Sequence, residues 1–449
     1  MPRDAQGNDV TADAAAVQAF DHAMDGFLRY RADLPRRLEA VLAGDPEFCL
    51  GHVLRGCLAL TAFHAGRLPA ARAALASAER LAPGATARER AHVAALAALV
   101  AGENDRALDL WDEVLAAHPR DLLAFRLHHF HAFWRGRPDR MLAGAGRVAP
   151  GWSAAVPGWG GVLACRAFAH EECGDHAAAE AHGRAALALD PGNLWAAHAV
   201  AHVMEMQGRR EEGIGFLDGL ETHWEGGNNL LHHLWWHRAM FHLERREFDR
   251  VLDLYDRRFR DLAAPLTAAA PDFYMDLQNA ISILFRLGLR GVPAGARWAE
   301  LADHAEARIG DCLSPFTLVH GALALAAAGR EAAGERLLDA MRAAAASPAG
   351  GTAGLVLRES GIAVAEAALR HGRGDFAGAV AAMRPVLGAM HGMGGSHAQQ
   401  DVLEQLFLDA AMRAGDADAV RLLLARVAGR HPVPPAQRIA YAAAERMVH

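Results

Sequence analysis

The amino-acid sequence predicts an all-α protein built from helical repeats. Apolar residues recur at positions i, i+3, i+4 and i+7 along almost the whole chain, which is the pattern of helices with one buried face. Sustained alternation of apolar and polar residues, the pattern of half-buried strands, does not occur. The chain has 449 residues, of which 52% are hydrophobic and 22% are charged. Such a chain can bury a large core, which excludes a disordered or fibrous protein.

A repeat of about 34 residues underlies this helical pattern. Its clearest copies are residues 105–119 (DRALDLWDEVLAAHP), residues 175–193 and the segment that begins at Gly374. Small residues in these copies allow two helices to approach each other, and a bulky residue fills the remaining space. Weaker copies lie at 68–83, 247–259 and 331–341. The sequence therefore predicts a tetratricopeptide-like α-solenoid of stacked antiparallel helical hairpins.

Stacked hairpins share one continuous core, so we expect residues 1–449 to form a single solenoid. The best candidate for an internal boundary is 262–271 (LAAPLTAAAP), where two prolines interrupt a segment of low polarity. A second loop is expected at 347–354 (SPAGGTAG). We interpret both segments as loops within one solenoid.

Charge and cysteine content restrict the expected partners and compartment. The 46 basic and 53 acidic residues give a formal charge of −7 at pH 7 without a basic block, so we expect no nucleic-acid partner. Five cysteines without a CxxC pair fit a reducing compartment. The sequence shows no signal peptide and no apolar run near the roughly 20 residues of a membrane span. We therefore expect a cytoplasmic protein with no membrane partner; a homodimer through terminal hairpins is compatible with the sequence.

Lysine is absent from the chain, so all 46 basic residues are arginine. Schiff-base enzymes, pyridoxal-phosphate enzymes and P-loop nucleotide hydrolases all require a lysine amine. We therefore expect neither pyridoxal phosphate nor a nucleotide as cofactor. A GC-rich genome accounts for the missing lysine equally well, so its absence excludes functions without suggesting one.

The strongest candidate site is a set of histidines and one acid at helical spacing: His198, His202, Glu205, His233 and His237. The first three share one face of a helix, and the last two repeat the four-residue spacing one hairpin later. Equivalent helices of neighbouring hairpins lie about 10 Å apart, so we expect all five side chains to face one cavity. The four histidines are candidate ligands of a divalent transition metal. A metal-free functional site and purely structural histidines are the alternatives.

Five further residues are candidate binding residues: His129, Trp236, Asp276, Ser396 and Asp401. Trp236 belongs to a tryptophan-rich region around the histidine pairs, and aromatic walls with convergent polar groups are typical of ligand pockets. His129 lies in a run with His128 and His131, for which we favour a position on the solvent side. Asp276 is expected either to orient a site histidine or to lie at a solvated helix start.

Ser396 follows glycines at the start of a helix, where backbone N–H groups can bind an anion. For this residue we favour the alternative of an N-cap, with Gln399 completing a capping box. Asp401 then falls inside the same helix. If its side chain faces inward, it requires an arginine or histidine partner.

Four segments carry a resemblance to a known family: residues 45–52 (DPEFCLGH), 196–206 (AAHAVAHVMEM), 233–237 (HLWWH) and 394–406 (GGSHAQQDVLEQL). In order and spacing they resemble the tetratricopeptide repeat protein 38 family over nearly the whole chain. The family pattern has histidines and acids at the positions of His52, His129, His198, His202, Glu205, His233, His237, Asp276 and Asp401. It has Asn and Arg where this chain has His397 and Gln400. The resemblance implies the helical-repeat fold and leaves the activity open.

Two functions remain open. The first is a tetratricopeptide-like binding protein whose concave, histidine- and tryptophan-lined cavity binds a small polar ligand or a peptide segment. The second is an enzyme that uses the same His/Glu cluster, with or without a metal, most plausibly in hydrolysis. The absence of a complete catalytic motif favours the binding protein. Imidazoles and tryptophans, in place of the Lys, Arg and Asn clamps of peptide-binding grooves, favour the enzyme.

Overall fold

The computed structural model describes residues 1–448, and these residues form helices connected by short turns. No β-strand occurs in this part of the chain, where the extended pairings are single bridges between Arg3 and Asp9 and between Arg31 and Gly227. The predicted all-α helical-repeat fold is confirmed. Among the described residues, no helix has both the length and the apolarity required to cross a membrane.

The chain divides into two compact units. The first unit comprises Met1–Val200 and Leu220–Leu230, and the second comprises Ala201–Gly219 and Leu231–His449. The segment 262–271, our candidate boundary, lies inside the second unit, where Pro265–Ala269 forms a short helix. A single continuous core for the whole chain stays a prediction.

The first unit is a series of helical hairpins. Its helices are α1 (Ala14–Leu28), α2 (Leu34–Gly44), α3 (Cys49–Leu60), α4 (Leu68–Leu81), α5 (Ala87–Val100), α6 (Asn104–Ala117), α7 (Leu122–Trp134), α8 (Pro138–Val148), α9 (Trp159–Glu172), α10 (His176–Leu189) and the first half of α11 (Leu194–Met206). Helices α1 and α2, α3 and α4, and each later pair up to α9 and α10 pack against each other. The predicted repeats 105–119 and 175–193 contain α6 and α10, the second helices of their hairpins.

The second unit continues with the rest of α11 and with helices of 5 to 18 residues. They are α12 (Arg210–Leu220), α13 (Leu230–Glu244), α14 (Phe248–Leu254), α15 (Pro265–Ala269), α16 (Tyr274–Gly288), α17 (Arg297–Ala307), α18 (Pro315–Ala327), α19 (Glu331–Ala346), α20 (Gly351–Val356), α21 (Ile362–Gly372), α22 (Phe376–Met383), α23 (His397–Ala414), α24 (Ala417–Ala428) and α25 (Ala442–Val448). The last residue of α12 and the first of α13 belong to the first unit.

The loop expected at 347–354 is shorter than the sequence suggested. Ser347 accepts a hydrogen bond from the backbone N–H of Ala349, which starts a turn, and Gly351 at φ +52° begins helix α20. Glycine adopts this left-handed conformation without a steric penalty, so the glycine that indicated a loop here starts a helix.

Small residues allow neighbouring helices to approach closely, as the repeat pattern predicts. A Cβ atom on Gly183 of α10 would lie 2.5 Å from Cγ2 of Val200 on α11. A Cβ atom on Gly213 of α12 would lie 2.4 Å from Cζ of the Phe241 ring on α13. Each contact leaves no room for a methyl group.

We predict that Gly213→Ala lowers the free energy of unfolding by about 1–3 kcal/mol, because the added methyl group displaces the buried Phe241 ring. Gly215→Ala is the matched control on the same helix, since a Cβ there meets nothing within 4 Å. The control should raise the free energy of unfolding by up to about 1 kcal/mol, because alanine favours the helix more than glycine does. Chemical denaturation of both variants measures the difference, and equal stabilities would contradict the close approach of α12 and α13.

Candidate functional site

Three histidines converge in the second unit. His202 lies in the last turns of α11, and His233 and His237 lie one turn apart on α13. Each offers a ring nitrogen within 4.8 Å of a nitrogen of the other two. The ring centroids of His202 and His237 are 4.4 Å apart, and those of His233 and His237 are 4.7 Å apart. All three side chains are at most 3% exposed, so the cluster lies in the interior.

Hydrogen bonds fix the orientation of two of these rings. His237 Nδ1 lies 2.8 Å from Oε2 of Glu205, and His233 Nδ1 lies 2.9 Å from Oδ1 of Asn279 on α16. These oxygens accept, so each imidazole donates from Nδ1 and carries its lone pair on Nε2. Burial holds the pKa of both histidines well below the usual range. The rings are therefore neutral at pH 7, as metal coordination requires.

Glu205 bonds the histidine cluster and also lines an open cleft. Its side chain is 14% exposed and lines a cleft of about 710 Å³, a volume that includes open solvent. Burial raises the pKa of Glu205 to about 7, and the positive charges of His202 and Arg286 partly oppose that shift. The carboxyl group can therefore gain or lose a proton near neutral pH.

The cleft combines an apolar wall with paired charges. Met206, Met240 and Phe241 contribute apolar surface. The other acids of the cleft form ion pairs with arginines that also line it: Arg438 with Asp401 at 2.7 Å, Arg430 with Glu404 at 3.0 Å and Arg210 with Glu244 at 3.2 Å. A lining of this kind suits a small polar molecule.

Asp401 has the arginine partners that its burial requires. Its carboxylate accepts hydrogen bonds from Arg286 at 3.4 Å, from Arg438 at 2.7 Å, and from Gln405 and the Tyr441 hydroxyl. These partners hold its pKa below the usual range, against the opposite effect of burial. Asp401 thus links α23 to α16 through Arg286 and to the C-terminal segment through Arg438.

The other candidate residues of the second unit have varied environments. The Trp236 ring stacks on His233 at 5.1 Å, and its indole N–H donates to Ser282. Asp276 is 2.9 Å from His232, so it orients a histidine outside the predicted set. Ser396 forms the capping box with Gln399, which is the alternative to an anion site that the sequence favoured.

Two predicted site residues lie in the first unit. His198 is 2% exposed and stacks on Trp195, with ring centroids 4.6 Å apart. His129 is 1% exposed, and its neighbours His128 and His131 are also buried. The expectation that these three histidines cover a solvent-facing side is wrong, because α7 is packed on nearly all sides and buries eleven of its thirteen residues.

Sequence reasoning missed Asn279, Ser282 and Arg286 as parts of the site. The three residues are separated by three and four positions and so share one face of α16, and this spacing was a usable signal. Arg438 and Tyr441 left no comparable signal, because they reach Asp401 from a distant segment.

Comparison with solved structures finds similarity at low sequence identity. No family model matches the chain. The crystal structure of yeast Tom70 is similar with a TM-score of 0.37 and 11% identity, covering 96% of this chain and 87% of that chain. The structure of Naa15/Naa10 bound to HypK-THB gives a TM-score of 0.26 and 12% identity, covering 92% of this chain and 68% of that chain. Both TM-scores are below 0.5, and we transfer no property of either protein to this chain.

We predict that Glu205 makes stability depend on pH. Its folded-state pKa of about 7 exceeds the ordinary value of 4.5. Its contribution to the free energy of unfolding is therefore complete below about pH 4.5 and is lost as pH rises through about 7. A shift of this size corresponds to about 3 kcal/mol. Glu205→Gln keeps an acceptor for His237 but cannot ionise. The difference between its melting temperature and that of wild type should therefore grow in favour of the variant from pH 5 to pH 8. Parallel thermal unfolding curves measure this, and a pH-independent difference would contradict the raised pKa.

Proposed function

We propose that this chain is a tetratricopeptide-like binding protein that holds a divalent transition-metal ion at His202, His233 and His237 and takes a small polar ligand in the adjacent cleft. The observation that carries the proposal is the convergence of three buried imidazoles, two of them neutral and oriented through Nδ1. A cytoplasmic location and membership of the tetratricopeptide repeat protein 38 family are parts of the same proposal.

The residues present fit a metal such as zinc. Metal-bound histidines almost always donate their second ring N–H to a carboxylate or carbonyl oxygen, as His237 does to Glu205 and His233 does to Asn279. Tetrahedral zinc places its nitrogen ligands roughly 3.4 Å apart. Nitrogens already within 4.8 Å of one another need only small side-chain rotations to reach that spacing. Three histidine ligands would leave one coordination position for the ligand.

The burial of the cluster favours a small ligand over a peptide. With side chains at most 3% exposed, the histidines are out of reach of an extended chain lying on the surface. A small molecule that enters the cleft can reach Glu205, which bonds His237. Its polar groups would meet arginine and carboxylate side chains already in place on the cleft wall.

Metal content tests the proposal. Protein purified without an affinity tag should bind about one equivalent of a transition metal, and His202→Ala/His237→Ala should bind none. Asn279→Leu should weaken the affinity by about 10–100-fold, because the Nδ1 hydrogen bond of His233 is lost. Plasma mass spectrometry and competition with a chromophoric chelator measure these values.

A matched control is His371→Gln, which removes a histidine that bonds Asp409 outside the cluster. It should retain the metal. His198→Ala is a separate variant, because the sequence-based prediction includes His198 among the ligands. Failure of wild type to bind zinc, cobalt or nickel, or unchanged binding in the double variant, would show that the histidines have another role.

One observation favours metal-assisted hydrolysis as a second candidate function. Glu205 has a pKa of about 7 and lies between the histidines and the cleft. A bound metal would activate water or polarise a carbonyl group. Glu205, which bonds Nδ1 of His237 on the side away from Nε2, would orient that imidazole and, as a carboxyl group on the cleft wall, exchange a proton with a molecule in the cleft.

We predict that Glu205→Gln keeps the bound metal but lowers hydrolysis of susceptible ester and amide substrates by at least about a hundredfold. Glu244→Gln is the control, since Glu244 lines the same cleft but pairs with Arg210. Rates are measured on the metal-loaded chain. If the loaded wild type hydrolyses no member of an ester and amide panel, the enzyme function is wrong and the binding function is unaffected.

A further inference from the structure

Arg126 is a buried cation without a carboxylate partner. Four arginines of the described chain are buried, and three of them bond an acid: Arg88 with Asp121 at 2.7 Å, Arg260 with Glu300 at 2.7 Å and Arg286 with Asp401 at 3.4 Å. Arg126 is 2% exposed, and no acid of residues 1–448 lies within 4.0 Å of its guanidinium. A guanidinium cannot lose its charge in a protein, so this buried charge calls for an anion.

Aromatic rings enclose the guanidinium on several sides. Its carbon lies 5.1 Å from the centre of the Phe27 ring, 4.9 Å from Tyr30 and 5.7 Å from Trp195. These rings attract the cation but do not neutralise it. The Nη2 atom donates to the Tyr30 hydroxyl, whereas Nη1 is buried and has no hydrogen-bond partner among the described residues.

His129 supplies a second buried donor beside the same tryptophan. The indole N–H of Trp195 donates to His129 Nε2 at 3.3 Å, which places the proton of the neutral ring on Nδ1. That Nδ1 is also buried and has no partner in residues 1–448. Burial and the charge of Arg126 keep the pKa of His129 well below its usual range, so the ring stays neutral.

Tyr30 supplies the third donor. Its hydroxyl accepts from Arg126 and so keeps its own proton available. Its ring stacks on Trp195 at 5.5 Å and is only partly buried. Its backbone has φ +53°, an uncommon left-handed conformation for a non-glycine residue. Such backbone strain concentrates at ligand-binding sites.

We propose that Arg126 Nη1, His129 Nδ1 and the Tyr30 hydroxyl form a binding site for a small carboxylate in the first unit. All three groups belong to residues that contact the Trp195 ring, all three are donors, and one of them carries a positive charge without an acidic partner in residues 1–448. A carboxylate offers two oxygens for three donors and supplies the missing negative charge. The aromatic walls exclude water, which strengthens these hydrogen bonds. The site uses none of the residues of the proposed metal centre.

Calorimetric titration of the full chain with formate, acetate and benzoate tests the site, at an ionic strength held constant with a bulky sulfonate salt. At least one carboxylate should bind wild type. Arg126→Gln should raise its Kd at least about tenfold, because a charge-assisted hydrogen bond is lost. Tyr30→Phe keeps the ring stack and should raise the Kd several-fold. Arg106→Gln removes an exposed arginine of the same unit and should leave the Kd unchanged.

Three outcomes would overturn the proposal: no binding of any carboxylate to wild type, unchanged Kd values in Arg126→Gln and Tyr30→Phe, or chloride binding as tight as that of carboxylates. If Arg126→Gln does not fold, Tyr30→Phe decides the question, because it deletes one hydroxyl and keeps the aromatic packing. Metal content plays no part in these readouts, so the two proposals succeed or fail separately.

Discussion

The burial of Asp401 imposes a constraint on which the site in the second unit depends. A carboxylate in the interior is stable only with cationic and hydrogen-bonding partners, and removal of one partner from such a pair is strongly destabilising. Asp401 obtains them from Arg286 on α16 and from Arg438 and Tyr441 near the C-terminus. The Arg286 guanidinium also lies over the Trp236 ring at 5.7 Å. Trp236 in turn packs on His233 and His237, so this ion-pair network supports the histidine cluster through a single aromatic ring.

The histidine cluster shows how burial and hydrogen bonding together select a protonation state. Burial disfavours the imidazolium form, and the charges of neighbouring groups act in the same direction on His237. Glu205 responds in the opposite sense, because burial disfavours its anion. The imidazole of His237 is therefore neutral near pH 7, where the carboxyl group of Glu205 titrates. A metal ion would be compatible with this state, since it requires the neutral imidazoles and favours the ionised carboxylate behind them.

Local spacing predicted much of this structure, and long-range contacts account for the remainder. The helical period gave α11 and α13 and the shared faces of their histidines, and the Ser396–Gln399 capping box could be read from adjacent residues. Arg438 could not be assigned in this way, because its partner lies 37 positions away in the sequence. The spacing of Asn279 on α16 marks a shared helix face but does not reveal its partner His233, which lies 46 positions away. The burial of His128 was missed for a similar reason: a polar run indicates an exposed face unless packing on the opposite side is known.

Because the chain has no lysine, the environment of Arg126 can be compared directly with those of the other buried strong cations, which are all arginines. A chain that uses only arginine as its strong cation buries a planar guanidinium wherever it buries positive charge, and this group can either bond a carboxylate or stack on aromatic rings. Arg88, Arg260 and Arg286 bond carboxylates. Arg126 has rings and the Tyr30 hydroxyl instead, and these leave its net charge uncompensated and its Nη1 donor without a partner in residues 1–448. Stacking alone accounts for the position of the side chain. An incoming anion accounts for its position, its charge and its unused donor together.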